Sequence, residues 1–417
     1  MKKVLLILFM GLGIMIIKAQ TYESAGNGNW TTPTTWTPMG VPVSFDEVTI
    51  NHAVILDTDF IMNSGALNIN GGGSLTESAS NRSFVLAGGE INNGGTFVVT
   101  NFWNEGGDFY NWGTSDFSKF LNERYVENSG VIENVDSLRN IDEIYNTVDG
   151  EIYVWAFSNE NYLNNTGLID GENYLNAGYM INYNRIDFIN ITNIDTIDNQ
   201  NGFYFNNFTN IGLFENSDYV EGTNDFTNIG EFNNYEEINL ENDFLNVDSA
   251  NGEAYFYNEG LFVIGHDFMN IDTIEGFGGQ FCITNNTGNT GAMIGNFDFC
   301  DNTPPTMGPY IDYNIGFIDE DITYCAMPCG MEVEIGCSEG EILAIYPNPA
   351  RERVIIEIGG KSPRGMLAIY NAEGQIIREM MVEGQAYVGL EDLAVGIYLI
   401  RLSLDNNRII SKRLLVE

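Results

Sequence analysis

The sequence has few basic residues, few histidines and only one long apolar run. Of its 417 residues, 17 are Lys or Arg, 58 are Asp or Glu, and two are His. Between residues 20 and 350 the imbalance is stronger, with 49 acidic residues and five basic ones. A strongly acidic body repels nucleic acid and anionic lipid, so we expect no nucleic-acid partner. From residue 351 onward acids and bases number nine each, which indicates a domain boundary near residues 340–350.

The one apolar run extends from Val4 to Ile17 and follows two lysines. It is shorter than the roughly 20 residues that a membrane helix needs. A basic start, an apolar centre and a small residue, here Ala19, are typical of a secretory signal peptide. We therefore predict that residues 1–19 are a signal peptide removed before Gln20, and that the exported chain has no transmembrane segment.

Internal repeats dominate the middle of the chain. The phrase "NDFTNIGEFNN" from Asn224 recurs with variations, and no amphipathic helix pattern interrupts it between residues 21 and 350. Short apolar alternation separated by Gly and Asn is a strand signal. Repeats of about 18–24 residues fit one coil of a parallel β-helix. The aromatic residues of these phrases recur at intervals of 20, 18, 18 and 24 residues: Phe188, Phe208, Phe226, Phe244 and Phe268.

The repeats predict an all-β protein with a right-handed parallel β-helix over residues 51–300, in which Phe226 points inward and Asn228 lies at a turn. Residues 20–50, rich in Trp, Thr and Pro, are predicted to be an N-terminal cap, because an open solenoid end recruits other chains. Residues 301–341 break the rhythm and are predicted to be a cysteine-containing capping segment or linker. A string of small β-sandwiches needs longer strands than this repeat provides.

The cysteines cluster in a 56-residue window. In an exported chain disulfides are the first interpretation, and an odd number leaves one thiol or one intermolecular bond. The spacing fits no zinc pattern. One pair is separated by 18 residues, the length of one coil, and is therefore a possible disulfide: Cys282 and Cys300.

Two histidines limit the nucleophilic chemistry that the chain can support. Either His52 or His266 would have to serve a Ser-His-Asp or Cys-His system. His266 occupies the repeat position that Asn224 and Asn242 fill in neighbouring repeats, so a structural role explains it. We predict no catalytic, cofactor-binding or metal-binding residues. Structural calcium stays open as an alternative, although EF-hand and glycine-rich calcium repeats are absent.

A polysaccharide-degrading enzyme is the alternative that the composition leaves open. A lyase acting on acidic sugars needs basic residues, and the only basic cluster is Lys119, Arg124 and Arg139. A glycoside hydrolase needs only two carboxylates roughly 5–10 Å apart. Acids at repeat positions, such as Asp225, Asp243 and Asp267, are interpreted as a solvated row.

The last 76 residues have a different character, beginning with "ILAIYPNPARERVIIEI" at Ile342. Short strands with Glu-Gly and Asn-Asn turns predict a small immunoglobulin-like antiparallel sandwich over residues 342–417. The segment closely resembles the C-terminal type A sorting domain of the type IX secretion system. The residues that carry the resemblance are Tyr346, Pro347, Asn348, Pro349, Gly396, Tyr398 and Lys412.

The resemblance implies export by the signal peptide to the periplasm and recognition of the C-terminal domain at the outer membrane. The protein would then be released or attached to surface lipopolysaccharide. We therefore expect a secreted or cell-surface, non-enzymatic β-helix protein with an adhesive or structural role. Its expected partners are the secretion machinery and, through exposed Tyr, Phe and Asn, glycans or host or matrix proteins. The alternative is an extracellular glycoside hydrolase or lyase on a β-helix scaffold.

Overall fold

The computed structural model describes residues 19–78, 81–247, 254–302, 310–325, 343–346, 350, 353–358, 364–371, 376–383, 385–390, 393–404 and 409–416. Of the predicted signal peptide, therefore, only Ala19 is described. The chain forms two compact units, which divide between residues 326 and 327. None of the helices in the described ranges is both long enough and apolar enough to cross a membrane.

The first unit is a parallel β-solenoid, as predicted, and it has about 14 turns. Each coil carries three strands, and each strand pairs in parallel with its counterpart in the next coil. We number the three resulting sheets the first, second and third face, in the order in which the chain visits them. The strands of the first face are Thr21–Ser24, Glu47–Ile50, Ala66–Ile69, Glu90–Asn93, Asp108–Asn111, Tyr125–Asn128, Glu143–Asn146, Tyr162–Asn165, Tyr179–Asn182, Thr196–Asn199, Leu213–Asn216, Glu231–Asn234, Tyr255–Asn258 and Phe317–Ile318.

The second and third faces complete each coil. Strands confined to the second face are Gly28–Asn29, Ala53–Leu56, Ser74–Glu77, Val131–Val135, Tyr219–Gly222, Glu237–Leu240 and Leu261–Ile264. Those confined to the third face are Phe60–Met62, Ser83–Leu86, Ser137–Asn140, Phe226–Asn228, Phe244–Asn246, Phe268–Asn270, Thr287–Asn289 and Tyr313–Asn314. Six strands run from the second face to the third: Thr96–Asn104, Thr114–Asn122, Glu151–Asn159, Leu168–Asn176, Arg185–Asn193 and Gly202–Asn210. Two run from the first face to the second: Thr273–Ile283 and Ala292–Asp301.

The coil forms because apolar residues alternate with polar ones and therefore point to one side of each strand. In one coil Phe214, Val220 and Phe226 point inward from the three faces and are fully buried. Parallel pairing places like residues above one another, so the rings of Phe214 and Phe232 stack with centroids 4.8 Å apart. A continuous aromatic and aliphatic core results.

All five repeat phenylalanines are buried, which confirms that they point inward. Their alignment differs from the sequence interpretation at one position. Phe208, Phe226, Phe244 and Phe268 occupy the third face, but the residue paired with Phe208 in the preceding coil is Ile191. Phe188 lies on the second face, opposite Phe205. The repeat that ends at Phe208 is therefore 17 residues long. The sequence pattern did not reveal it, because an aliphatic residue, Ile191, occupies the position that phenylalanine fills in later coils.

Asparagines end most strands of the first and third faces and, apart from the exposed Asn314, they are buried. Asn228 is thus the last residue of a strand, directly before the turn, and its side chain lies inside the solenoid. Each side chain in the two rows bonds the equivalent asparagine in the next coil. The first-face row is Asn93, Asn111, Asn128, Asn146, Asn165, Asn182, Asn199, Asn216, Asn234 and Asn258. The third-face row is Asn104, Asn122, Asn140, Asn159, Asn176, Asn193, Asn210, Asn228, Asn246, Asn270, Asn289 and Asn314.

The parallel pairing extends outside residues 51–300 at both ends. At the N-terminal end Thr21–Ser24 pairs in parallel with Glu47–Ile50 and antiparallel with Trp36–Thr37, after a short 3-10 helix at Pro33–Thr35. Trp30 and Trp36 close the core there with ring centroids 5.1 Å apart. At the other end Phe317–Ile318 pairs with Ala292–Asp301.

The predicted Cys282–Cys300 disulfide is wrong, although the two cysteines do lie at equivalent positions of neighbouring coils. Cys282 and Cys300 are paired neighbours in successive coils. Cys300, however, is bonded to Cys325, which follows the last coil, and Cys282 takes part in a separate disulfide. The Cys300–Cys325 bond ties residues that cover the C-terminal end of the core to the solenoid, a role that coil spacing alone does not indicate.

The second unit contains two antiparallel sheets. One consists of Leu343–Tyr346, Arg353–Ile358 and Gln385–Gly389. The other consists of Ile376–Glu383, Arg364–Tyr370, Gly396–Leu404 and Ile409–Val416, in that spatial order. Val354 and Ile356 of the first sheet share one core with Leu367, Ile400 and others of the second. This is the small β domain that the sequence predicts.

Candidate binding surface

Tyrosines form a row on the outside of the first face. The rings of Tyr110, Tyr125, Tyr145, Tyr162 and Tyr179 lie in successive coils, with centroid separations of 5.7, 5.5, 5.5 and 5.9 Å. The spacing follows from the distance of about 4.8 Å between coils. The first three ring pairs are tilted and the Tyr162–Tyr179 pair is stacked. We call these five residues the tyrosine row.

Carboxylates alternate with the rings. Asp108, Tyr125 and Glu143 are register neighbours in three successive coils. The Tyr125 hydroxyl donates a hydrogen bond of 2.8 Å to Glu127 Oε2. Burial, together with this bond and the Glu127 charge, raises the pKa of Tyr125, and burial with the charge of Asp108 raises that of Tyr110. The phenols therefore remain protonated hydrogen-bond donors over the physiological range.

A depression of about 360 Å³ opens at the start of the row. We call it the Tyr125 depression; its lining is Asp108, Tyr110, Arg124, Tyr125, Asp142 and Glu143. Arg124 and Asp142 come from the corner that precedes the first face, and Arg124 Nε lies 3.9 Å from Asp108 Oδ1. Three carboxylates thus surround one guanidinium and two phenols in a shallow, charged site.

A second polar row lies on the outside of the solenoid, where the second face turns into the third. Side-chain hydrogen bonds link Asn173, Asn190, Asn207, Asn224 and Asn242 from coil to coil. His266 takes the next position, as the sequence comparison predicted, and Asn285 follows it. The row is half exposed, unlike the two internal asparagine rows.

His266 stands in a cluster with Asp243 and Asp267. Its Nδ1 lies 2.6 Å from Asp243 Oδ1 and 3.7 Å from Asp267 Oδ1. One imidazole nitrogen and two carboxylate oxygens within 4.8 Å of one another are a set that Zn²⁺ accepts. Here protein groups already use these atoms: Asn285 Nδ2 contacts His266 Nε2, and the Asp267 amide donates to Asp243.

The electrostatics of this cluster follow its hydrogen bonds. The bond to Asp243 raises the pKa of His266, and the charges of Asp267 and Asp243 add to it. Burial pushes the pKa of Asp267 upward, but hydrogen bonds from Asn286 and Asn285 outweigh burial and lower it. The cluster is thus an ion pair along the outer row when His266 is protonated.

His52 has a structural contact that the sequence did not reveal. Its Nδ1 lies 2.9 Å from Ser24 Oγ, and Ser24 also accepts a hydrogen bond from the Asn51 amide. Ser24 is 3% exposed, so its hydroxyl is closed to a substrate. The pair connects the strand Thr21–Ser24 to the turn before Ala53–Leu56.

The three basic residues that lie close together in the sequence do not share one site. Lys119 and Arg139 lie on third-face strands of neighbouring coils, and Arg124 lines the Tyr125 depression. Arg139 Nε is bonded to Glu160 at 2.6 Å, in an arrangement with two hydrogen bonds. The basic residues are thus distributed over different surfaces, and two of them face carboxylates.

The tyrosine row and its depression were not predicted as a site. The tyrosines occupy two different outward positions of their strands, so their spacing in the sequence is irregular, at 15, 20, 17 and 17 residues. The recurring pairs of Tyr and Glu two residues apart, as in "YVE" from Tyr125 and "EIY" from Glu143, are the signal that was available.

The second unit places four of the seven predicted sorting residues on its strands. Tyr346 ends Leu343–Tyr346, whereas Pro347, Asn348 and Pro349 lie outside the described residues. Gly396 begins Gly396–Leu404, and Tyr398 on that strand is buried, its hydroxyl donating to the Ala394 carbonyl at 2.7 Å. Lys412 is exposed on the neighbouring strand Ile409–Val416.

Comparison with known proteins agrees with this arrangement. Residues 344–417 match the family model described as the secretion system C-terminal sorting domain. Neither a search of curated proteins nor a search of solved structures found a match. The chain is therefore a β-solenoid that carries a C-terminal sorting domain of the type IX secretion system, which sends it to the cell surface or the extracellular space.

Proposed function

We propose that the exported β-solenoid is a non-enzymatic adhesive or structural protein that binds glycans through its first face. The tyrosine row carries this proposal. Five aromatic residues in consecutive coils, interleaved with carboxylates, offer a long array of hydrogen-bond donors and acceptors with little loss of side-chain freedom on binding.

The scaffold suits such a role because the internal rows make it rigid. Buried asparagines bond from coil to coil from Asn93 to Asn289, and the aromatic and aliphatic core is continuous, so the outward positions are held at a fixed spacing. A linear polymer can follow a surface of this kind, with the contacts of one coil repeated in the next. Many weak contacts held at matched spacing add up to firm attachment.

A glycan-degrading enzyme is the second candidate, and the Tyr125 depression favours it. Asp108 and Glu143 flank Tyr125 at register positions two coils apart, and Asp142 adjoins them. Two carboxylates roughly 5–10 Å apart suffice for glycoside hydrolysis.

One experiment separates the two candidates. The secreted full-length chain is assayed for binding to immobilised polysaccharides and matrix proteins, and the same polysaccharides are assayed for new reducing ends. Saturable glycan binding without new reducing ends supports the adhesive role. Release of reducing ends that Glu143→Gln abolishes supports the hydrolase. An absence of both binding and cleavage overturns both proposals.

A further inference from the structure

We propose that the Tyr125 depression is a subsite for a cationic amino sugar, that is, a hexosamine unit with a free ammonium group in a linear glycan. This inference rests on the glycan-binding function proposed above and assigns it a ligand class. Its basis is the combination of carboxylates and phenol rings in one depression, together with a second place in the same molecule where such a combination already holds a cation.

The lining of the depression favours positive charge. Asp108, Asp142 and Glu143 contribute three carboxylates, and Arg124 is the single cation among them. Arg124 lies at the distance limit of an ion pair with Asp108 and is more than half exposed, so it leaves most of the negative charge uncompensated. An ammonium group gains from this field, whereas a uronic acid or a sulfated sugar is repelled.

The second face shows how such a surface binds a cation. The Arg185 guanidinium lies over the Tyr204 ring, 4.3 Å from its centroid, and bonds Asp187 at 2.6 Å. A ring face and a carboxylate thus hold one positive group on the outside of a coil, through cation–π attraction and a charged hydrogen bond. The Tyr125 depression offers rings and carboxylates of the same kind to a positive group from outside the chain.

The remaining groups suit a sugar. The Tyr125 hydroxyl gives its proton to Glu127, so its oxygen can accept from a ligand, and the carboxylates also accept. Both kinds of acceptor match the hydroxyl and ammonium donors of a hexosamine ring. The tyrosine row continues beyond the depression through Tyr145, Tyr162 and Tyr179, which gives the following units of a linear chain the same kind of contact. A lysine-rich peptide shares only the positive charge, and it serves below as the competing ligand.

The test measures binding of the secreted full-length chain to three probes by calorimetry at low and physiological salt. The probes are a glucosamine hexamer, the N-acetylglucosamine hexamer of the same linkage, and a hexamer of lysine. We expect the glucosamine hexamer to bind at least about tenfold more tightly than the acetylated one, because the loss of one charged contact costs about that factor. Added salt should reduce the difference.

Variants give the sign of the charge effect. Glu143→Gln and Asp108→Asn should each weaken glucosamine binding about tenfold, and Arg124→Gln should strengthen it, because it removes the competing cation. The matched control is Glu221→Gln on the second face. Glu221 accepts a hydrogen bond from Tyr219, as Glu127 does from Tyr125. We expect this variant to bind glucosamine as tightly as the unchanged protein. Thermal unfolding verifies that each variant is folded.

Several outcomes overturn the inference. Weaker binding in Arg124→Gln identifies an anionic ligand, and lysine-hexamer binding as tight as glucosamine binding identifies a site for basic peptides. If glycan affinity changes neither with acetylation nor in the Glu143→Gln variant, the subsite proposal is refuted, but the glycan-binding function still stands. A chain that binds no glycan of any kind contradicts the proposed function itself.

Discussion

Asn193 donates a side-chain hydrogen bond of 2.8 Å from its Nδ2 to Oδ1 of Asn210, and both side chains are fully buried. Asn210 in turn donates to Asn228 Oδ1 at 2.9 Å and to the Glu231 carbonyl at 2.9 Å. The Asn210 carboxamide therefore forms hydrogen bonds with asparagines in the preceding and the following coil and with one backbone carbonyl. Buried polar groups are tolerated in such a core only because each is paired with the next.

Replacing one member of this row should therefore cost more than its own contacts. Asn210→Ala leaves the Asn193 donor and the Asn228 acceptor without their carboxamide partner, and each such group costs about 1–3 kcal/mol. We expect a loss on the order of 2–5 kcal/mol in the free energy of unfolding. Thr209→Ala, an outward residue of the same strand, should change stability by less than about 0.5 kcal/mol. Denaturant unfolding followed by circular dichroism compares the two, and equal losses would contradict a special role for the row.

Gly212 lies in the bend before the strand Leu213–Asn216, where the chain of one coil passes directly over the previous coil. A Cβ atom at this position would overlap the carbonyl oxygen of Asp195 and other backbone atoms. Gly212→Ala should therefore destabilise the protein by about 1–3 kcal/mol, because the backbone must move. Gly72→Ala is the control, since its Cβ would meet no atom of the described chain within 4 Å. The two thermal midpoints test the prediction, and a stable Gly212 variant would show that the corner can widen.

The pKa of His266 is raised, mainly by its hydrogen bond to Asp243. The folded protein therefore gains stability from this proton below the ordinary pKa of histidine, and loses that contribution as the pH rises through the raised value. Asp243→Asn should lower the pKa of His266 toward the ordinary value. Titration of the histidine ring protons by NMR measures this, with His52 as the internal reference. An unchanged His266 titration in that variant would show that Asp243 does not hold the proton.

The sequence predicted the solenoid because inward residues such as Phe226 and Phe244 recur at coil spacing and no helical period competes. It placed Asn228 at a turn because spacing alone cannot show that a polar side chain points inward and pairs with its own copies. It aligned Phe188 with Phe208 because the equivalent residue, Ile191, is aliphatic. The Tyr125 depression was missed for a related reason: Asp108, Arg124 and Glu143 converge only after three coils stack.

Export gives the most direct test of the C-terminal unit. Deletion of residues 342–417 should retain the protein in the periplasm, because residues 344–417 match the sorting domain.

Lys412→Glu reverses an exposed charge without touching the core, so loss of export in that variant would assign recognition to this surface. Tyr398→Phe removes only the hydroxyl contact with the Ala394 carbonyl and should be exported, whereas Tyr398→Ala leaves a cavity that costs about 3–5 kcal/mol and should not be. Cell fractionation and immunoblotting measure each case. Normal secretion of the deletion variant would refute the assigned export route, and normal secretion of Lys412→Glu would move the recognition surface elsewhere on the domain.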